Sequence, residues 1–207
     1  MYDEMLMFVE NLLKGKQGGK SKNKIAIDYD RFAHTKRVLK WVKYLCDELN
    51  VNFDRENLYV ATIFHDAGYS KEVDLNNHAK YSSKICREYL INNTDFINDK
   101  IDSICTLILN HSDKSLLYDI GTSLEMIILL EADLLDDTGA MGLVIDTWIK
   151  IKNSDTSFED ILEKMKKHIL RKMIECPLVT EPGKRIWTEK LKLTKEFIKQ
   201  YEFDIGC

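Results

Sequence analysis

Three observations on the sequence predict an all-α protein folded as a single-domain helical bundle. The chain has 207 residues but only 2 prolines and 9 glycines, so residues that interrupt helices are scarce. Apolar residues recur at three- and four-residue spacing along much of the chain, and the alternating Val, Thr and aromatic pattern of strands is sparse. Because 44% of the residues are hydrophobic, the chain can bury one sizeable core.

Charge and cysteine usage narrow the class of protein. A net charge of -4 argues against binding nucleic acid by bulk electrostatics. The five cysteines include no CxxC pair, a pattern that favours reduced thiols in a cytoplasmic protein over a disulfide framework. No apolar run approaches the ~18 residues that span a bilayer, and the acidic start of the chain is unlike a signal peptide. We therefore expect a cytoplasmic protein with no membrane partner.

The first 24 residues are predicted to stand apart from the rest of the chain. Residues 1–13 show an amphipathic pattern typical of a short helix. Residues 15–24, GKQGGKSKNK, are rich in Gly and Lys, which predicts a flexible basic linker. This linker is interpreted either as a solvated loop or as a lid that attracts a phosphorylated ligand. The predicted domains are accordingly residues 1–24 and a helical domain over residues 25–207.

The rest of the chain is predicted as a series of helices joined by loops. Asp54 is a good N-cap for one of them, and His78 falls in the first turn of another. Gly68 is predicted to let the chain turn away after the helix that precedes it. Pro177, Pro182 and Gly183 predict a break between the last two helices. The predicted helices cover residues 30–49, 54–66, 78–90, 97–110, 124–133, 157–175 and 188–203, and no helix is assigned to residues 139–156.

The most informative segment is Phe64-His65-Asp66-Ala67-Gly68, which closes an apolar helical run. An imidazole and a carboxylate next to each other cannot both face an apolar core unless a partner compensates for their desolvation. A divalent metal ion is the simplest partner, because neutral imidazole nitrogen and carboxylate oxygen are its ordinary ligands. A single His-Asp pair is weak evidence for a metal, so the prediction depends on further ligands elsewhere in the chain.

Further candidate ligands stand at the ends of other predicted helices. Four of the five histidines lie within a turn of a predicted helix end, and two aspartates end helices with apolar interiors. Helix ends can converge on one pocket of a bundle, where inward-facing side chains build metal sites. The candidate ligand set, in chain order, is His34, His65, Asp66, His78, His111 and Asp133.

This order of residues resembles the HD-domain superfamily of metal-dependent phosphohydrolases, whose ligands run H…HD…D. On that resemblance, His34, His65, Asp66 and Asp133 match the four ligands of one metal ion. The contexts agree, since HTKRV surrounds His34, FHDAGYSK contains the HD pair and EADLLDDTGAMG contains Asp133. The last stretch is similar to ADRLDAxGAxG in the bacterial branch that includes nucleoside triphosphate pyrophosphohydrolases, the branch this chain resembles most. The resemblance covers roughly residues 29–203 and implies the HD-type helical fold.

The resemblance leaves two roles open for His78 and His111. In two-metal members of the superfamily, two histidines between the HD pair and the last Asp bind a second metal ion, and the HD aspartate, here Asp66, bridges the two ions. In the pyrophosphohydrolase-like branch, similar positions contact phosphate instead. The chain lacks the downstream GYP motif of cyclic di-nucleotide phosphodiesterases, so that activity is not assigned.

The resemblance implies hydrolysis of a phosphate ester or anhydride in a small molecule, with a nucleotide as the expected substrate. One or two divalent ions (Mn, Mg, Ni, Co or Fe) are the expected cofactor, and Asp66 is the expected catalytic residue that orients water or accepts its proton. Arg37, Lys71 and Lys114 lie close in sequence to the ligands and are the candidate phosphate-binding residues. Two alternatives remain, a di-iron HD-type oxygenase and a non-catalytic nucleotide-binding module. A homo-oligomer is also compatible with the sequence.

Overall fold

The protein is built from helices. A computed structural model describes residues 1–14, 31–51, 53–71, 77–153 and 156–206, and no strand occurs in these residues. The all-α prediction is therefore confirmed. The predicted Lys-rich linker over residues 15–24, and the predicted domain boundary after it, lie outside the described residues. Of the described helices, none combines the length and the apolar composition needed to cross a bilayer.

The described residues fall into two compact units, Met1–Ala132 and Asp133–Cys207. The first unit contains α1 (Tyr2–Lys14), α2 (Arg31–Leu49), α3 (Arg55–Phe64), α4 (His78–Asn93), α5 (Asn98–Asn110) and the start of α6 (Leu124–Asp136), with 3₁₀ helices at Ala67–Ser70 and Lys114–Tyr118. The second unit contains α7 (Gly139–Asn153), α8 (Phe158–Lys164), α9 (Arg171–Ile174) and α10 (Glu181–Ile205), with a π turn at Met165–Leu170.

Helix α3 lies at the centre of the first unit. Every residue from Val60 to Phe64 is fully buried, because α1, α2, α4 and α5 all pack against this helix. From α1, Met5 and Val9 are fully buried, and the ring of Phe8 lies 6.1 Å from that of Phe64. A buried helix carries the residues that follow it into the interior, which is how the His-Asp pair reaches the core.

The start of α3 follows the prediction. The Asp54 carboxylate accepts a hydrogen bond of 2.9 Å from the backbone N–H of Asn57, as an N-cap does. The backbone N–H of Asp54 itself donates to Oε1 of Glu125 at 2.9 Å. Asp54 thus caps the start of α3 and also binds the first turn of α6.

Gly68 has a different role from the predicted open turn. It lies within the 3₁₀ helix Ala67–Ser70, and a Cβ atom at this position would be 2.0 Å from the carbonyl oxygen of His78 and 2.7 Å from the backbone nitrogen of Ser82. The Gly68 N–H donates to Oγ of Ser82 at 2.8 Å. Glycine is therefore required because this turn packs directly on the backbone of α4.

Two predictions for the second unit differ from the structure. Residues 139–153 form α7, which begins immediately after α6 because Gly139 adopts a left-handed φ of 67°. The predicted break before the last helix occurs at residues 175–180, between α9 and α10, but Pro182 and Gly183 lie inside the first turn of α10. Proline is tolerated there because the backbone N–H groups of the first turn have no helical partner in any case.

A π turn interrupts the helical segment that precedes α10. The chain runs from α8 through the π turn Met165–Leu170 into α9 without leaving helical geometry. The side chains of Ile161, Met165, Ile169 and Met173 are all buried, and they are spaced four residues apart. The segment therefore presents one continuous apolar stripe.

Replacing Thr180 with Ala is expected to lower the free energy of unfolding by about 1 kcal/mol. The Thr180 hydroxyl accepts a hydrogen bond of 3.1 Å from the backbone N–H of Gly183 and caps α10. Thr188→Ala is the matched control, because the exposed Thr188 hydroxyl only bonds back to Lys184 within the same helix. Urea unfolding of both variants checks this, and equal midpoints for Thr180→Ala and wild type would contradict the capping role.

Candidate metal centre

The structure brings together five of the six predicted ligands, all of them in the first unit. Each one stands at or near a helix end, as the sequence predicts. His34 lies in the first turn of α2, His65 and Asp66 directly follow α3, His78 opens α4 and His111 directly follows α5. Polar side chains buried at this depth require partners, and here these residues face one another.

One half of the cluster is formed by His34, His65 and one oxygen of Asp66. Oδ2 of Asp66 lies 3.6 Å from Nε2 of His34 and 3.7 Å from Nε2 of His65. The two imidazole nitrogens are 3.3 Å apart. Two nitrogens and one oxygen thus point at a common centre in a fully buried position.

The other half is formed by His78, His111 and the second oxygen of Asp66. Oδ1 of Asp66 lies 3.5 Å from Nε2 of both histidines, and these two nitrogens are 3.1 Å apart. The Ser112 hydroxyl lies 3.2 Å from Nε2 of His78 and 3.3 Å from Nε2 of His111. Asp66 therefore stands between two histidine pairs and presents one oxygen to each.

The donor set fits divalent metal ions. Two ligand atoms that are each about 2.1 Å from one ion lie about 3.0–3.4 Å apart at angles between octahedral and tetrahedral. The distances within each half are close to this range, so only small movements are needed to accommodate an ion. Imidazole with carboxylate is also the ligand chemistry that Zn, Mn, Fe, Co and Ni accept.

Backbone carbonyls set the tautomer of two of the histidines. Nδ1 of His65 lies 2.7 Å from the carbonyl oxygen of Thr62, and Nδ1 of His111 lies 2.7 Å from that of Ile108. A carbonyl oxygen can only accept a hydrogen bond, so Nδ1 carries the proton in both rings. In the neutral rings Nε2 then keeps its lone pair for the centre of the cluster, which is the arrangement found in metal-binding histidines.

The cluster keeps Asp66 in its anionic form. Burial alone raises the pKa of a carboxyl group, and it is the largest single effect on Asp66. The electrostatic effect of His65 and the contact with His111 act in the opposite direction. Arg31 and His34 lower the pKa further, and the net result lies well below the ordinary value for Asp. A buried carboxylate that stays charged is suited to binding cations.

The sequence interpretation missed Arg31 and Tyr69. Nη1 of Arg31 donates to Oδ2 of Asp66 at 3.1 Å, and its guanidinium lies 4.0 Å from the centre of the Tyr69 ring. Arg31 stands three residues before His34, on the same face of α2, and this spacing was a usable signal. Arg37 stands three residues after His34 and satisfies the same rule, so spacing alone did not separate the two.

Four predicted site residues are not among the five ligands that the structure brings together. Lys114 is half-buried, and its Nζ donates to the carbonyl oxygen of His111 at 3.0 Å, which places it beside the second half of the cluster. Arg37 is half-buried on α2, and Lys71 is exposed just after the 3₁₀ helix Ala67–Ser70. Asp133 is a half-buried residue of α6 that belongs to the second unit. The roles of Arg37 and Lys71 with phosphate and of Asp133 with metal stay predictions.

The chain matches the family model of the HD domain over residues 31–138, just over half of its length. This range contains every predicted ligand as well as Arg31 and Tyr69. No curated protein sequence matches the chain.

Solved structures with a similar fold have low sequence identity to this chain. An HD-superfamily hydrolase from Bacillus thuringiensis has a TM-score of 0.70 at 18% identity, covering 100% of this chain and 97% of the other. YpgQ from Bacillus subtilis, in complex with ADP, has a TM-score of 0.67 at 17% identity, covering 99% and 95%. A predicted HD superfamily hydrolase from an uncultured Thermotogales bacterium has a TM-score of 0.64 at 19% identity, covering 99% and 92%. At these identities the similarity establishes a shared fold.

Proposed function

The chain belongs to the HD domain family of metal-dependent phosphohydrolases, and on this premise we propose that it hydrolyses a phosphate ester or anhydride of a nucleotide. The observation that carries the proposal is the position of Asp66, whose two oxygens each face a different pair of histidines at 3.5–3.7 Å. Asp66 would therefore help to hold divalent ions on both sides, and these ions would supply Lewis-acid activation of a phosphoryl group.

In this proposal the two halves of the cluster hold one divalent ion each. His34 and His65 would hold the first ion, His78 and His111 would hold the second, and Asp66 would contribute to both sites. Asp133 keeps the ligand role that the sequence pattern predicts for it. Bound divalent ions supply Lewis-acid activation of water and of a phosphoryl oxygen.

The side chains around the cluster have separate tasks in hydrolysis. Asp66, which the surrounding groups hold in its charged form, would orient the attacking water or accept its proton. Arg31 and Lys114 each bring a positive charge to one half of the cluster, through Asp66 and the carbonyl of His111 respectively. We propose that the side chains of Arg31 and Lys114 face the substrate phosphates and stabilise their negative charge during the reaction.

A nucleotide is the proposed substrate class because YpgQ, which shares this fold, is known in complex with ADP. The positively charged side chains of Arg31 and Lys114 beside the cluster favour a ligand with more than one phosphate. These observations support a nucleoside di- or triphosphate over a substrate with a single phosphate group.

Removing divalent metal with EDTA is expected to abolish hydrolysis, and adding Mn²⁺ is expected to restore it, because the proposed reaction depends on Lewis-acid activation. The assay measures product release from nucleoside mono-, di- and triphosphates, dinucleoside polyphosphates and generic phosphodiesters. Separating phosphate from pyrophosphate among the products distinguishes loss of a terminal phosphate from cleavage to a monophosphate.

Three outcomes would contradict the proposal. Turnover that is unchanged after metal removal would exclude metal-dependent hydrolysis. Tightly bound iron with an oxo-bridge absorption and oxygen consumption would indicate the di-iron oxygenase. Nucleotide binding without turnover under any metal condition would indicate a non-catalytic module.

A further inference from the structure

Three side chains beside the candidate metal centre form a layered stack. The ring of Tyr69 lies 4.4 Å from that of His78, centre to centre, at an interplanar angle of 16°. The Arg31 guanidinium lies 4.0 Å from the centre of the Tyr69 ring. Planar aromatic and guanidinium groups attract one another in this arrangement, so each layer restricts the orientation of the next.

The two partners of Tyr69 contact opposite oxygens of one carboxylate. Arg31 donates to Oδ2 of Asp66 at 3.1 Å, and Nε2 of His78 lies 3.5 Å from Oδ1. A displacement of Tyr69 would therefore disturb contacts on both sides of Asp66.

Of the four histidines in the cluster, His78 is the most exposed. Its side chain is 13% exposed, whereas those of His34, His65 and His111 are at most 3% exposed. The rings of His65 and His111 are held by backbone carbonyls of the helices that precede them. His78 stands at the first position of α4, where the face of its ring packs on Tyr69.

The position of Tyr69 is itself determined by the backbone. The Tyr69 N–H donates to the carbonyl oxygen of Asp66 at 3.1 Å, within the turn that leads into the 3₁₀ helix. The adjacent Gly68 packs on the carbonyl oxygen of His78 and donates to Ser82. The chain thus brings Tyr69 to the first turn of α4, over the His78 ring.

We infer that Tyr69 is a positioning residue, which orients His78 and Arg31 toward Asp66 by stacking between them. The inference rests on the proposed function, because the groups that Tyr69 orients are a proposed metal ligand and a proposed phosphate-binding cation. The aromatic face carries this role, so Phe can replace Tyr at position 69 and an aliphatic side chain cannot.

The test compares Tyr69→Leu with Tyr69→Phe as the matched control. Mn²⁺ binding to metal-depleted protein is measured by isothermal titration calorimetry, with total metal determined by elemental analysis. Wild type and Tyr69→Phe are expected to bind two ions per chain. Tyr69→Leu is expected to bind one ion as wild type does and the other about 10- to 100-fold more weakly, as when the support of a metal ligand is lost.

The readouts separate this inference from the proposed function. If wild type binds no Mn²⁺, the proposed function fails, and the inference fails with it. If wild type binds two ions and Tyr69→Leu binds both with unchanged affinity, the inference alone is overturned. Far-UV circular dichroism checks that the variants are folded. If Tyr69→Leu is unfolded, Tyr69→Met, which is unbranched and lacks an aromatic face, is measured against the same expectation.

Discussion

Replacing Asp66 with Asn is expected to lower phosphohydrolase turnover by more than about 100-fold, because even the outer partners of metal ligands contribute about 10- to 100-fold. Asn has the size of Asp but only one oxygen and no charge, so it cannot present an oxygen to both histidine pairs. The same variant is expected to lose Mn²⁺ affinity in both halves of the cluster. Turnover with added Mn²⁺ and calorimetric metal titration measure the two effects.

Asp95→Asn is the control for this variant. Asp95 is exposed between α4 and α5, so the same chemical change there is expected to leave turnover and metal binding unaltered. Circular dichroism shows whether both variants remain folded. A folded Asp66→Asn protein with wild-type turnover would exclude Asp66 from the reaction.

Replacing Gly68 with Ala is expected to destabilise the protein by about 3 kcal/mol or more, at or beyond the upper end of the usual range for overpacking. The added Cβ would lie 2.0 Å from the His78 carbonyl oxygen and 2.7 Å from the Ser82 nitrogen. Both obstacles are backbone atoms, so no side-chain rotation can relieve the contact. The turn must move away from α4, which also separates Tyr69 from His78. Urea unfolding measures the loss of stability.

Gly121→Ala is the matched control in the same unit. A Cβ at Gly121 would approach only Oδ1 of Asp119, at an ordinary contact distance of 3.8 Å. This variant is expected to unfold within about 0.5 kcal/mol of wild type, as surface substitutions usually do. Equal stability of Gly68→Ala and Gly121→Ala would show that the turn can shift without cost.

Much of the candidate metal centre could be predicted from the sequence because its candidate ligands stand at helix ends. His34, His65, His78 and His111 were each assigned to a predicted helix end, and the structure places all four around Asp66. The residues outside the ligand set were harder to predict. Contacts across elements depend on how the helices pack, and a single sequence does not determine that packing.

The fold could be predicted where local signals and burial agree, as at the Asp54 cap of α3. The fold could not be predicted where a residue type, such as Gly or Pro, occurs both in loops and at the ends of helices. No helix was assigned to residues 139–156, yet α7 begins at Gly139, which adopts a left-handed φ. Pro182 predicts a break, yet the Thr180 cap makes it the second residue of a long helix.

The π turn at Met165–Leu170 keeps the buried side chains of its helical segment on one side of the helix axis. Residues four apart on an α-helix are separated by about 400° of rotation, so each step advances by about 40° around the axis. Over three steps, from Ile161 to Met173, the buried positions of a regular helix would drift by about 120°. A π turn holds more residues per turn and rotates the chain back, so all four side chains can be buried. Such turns frequently mark functional sites, but the angular correction accounts for this one without a ligand.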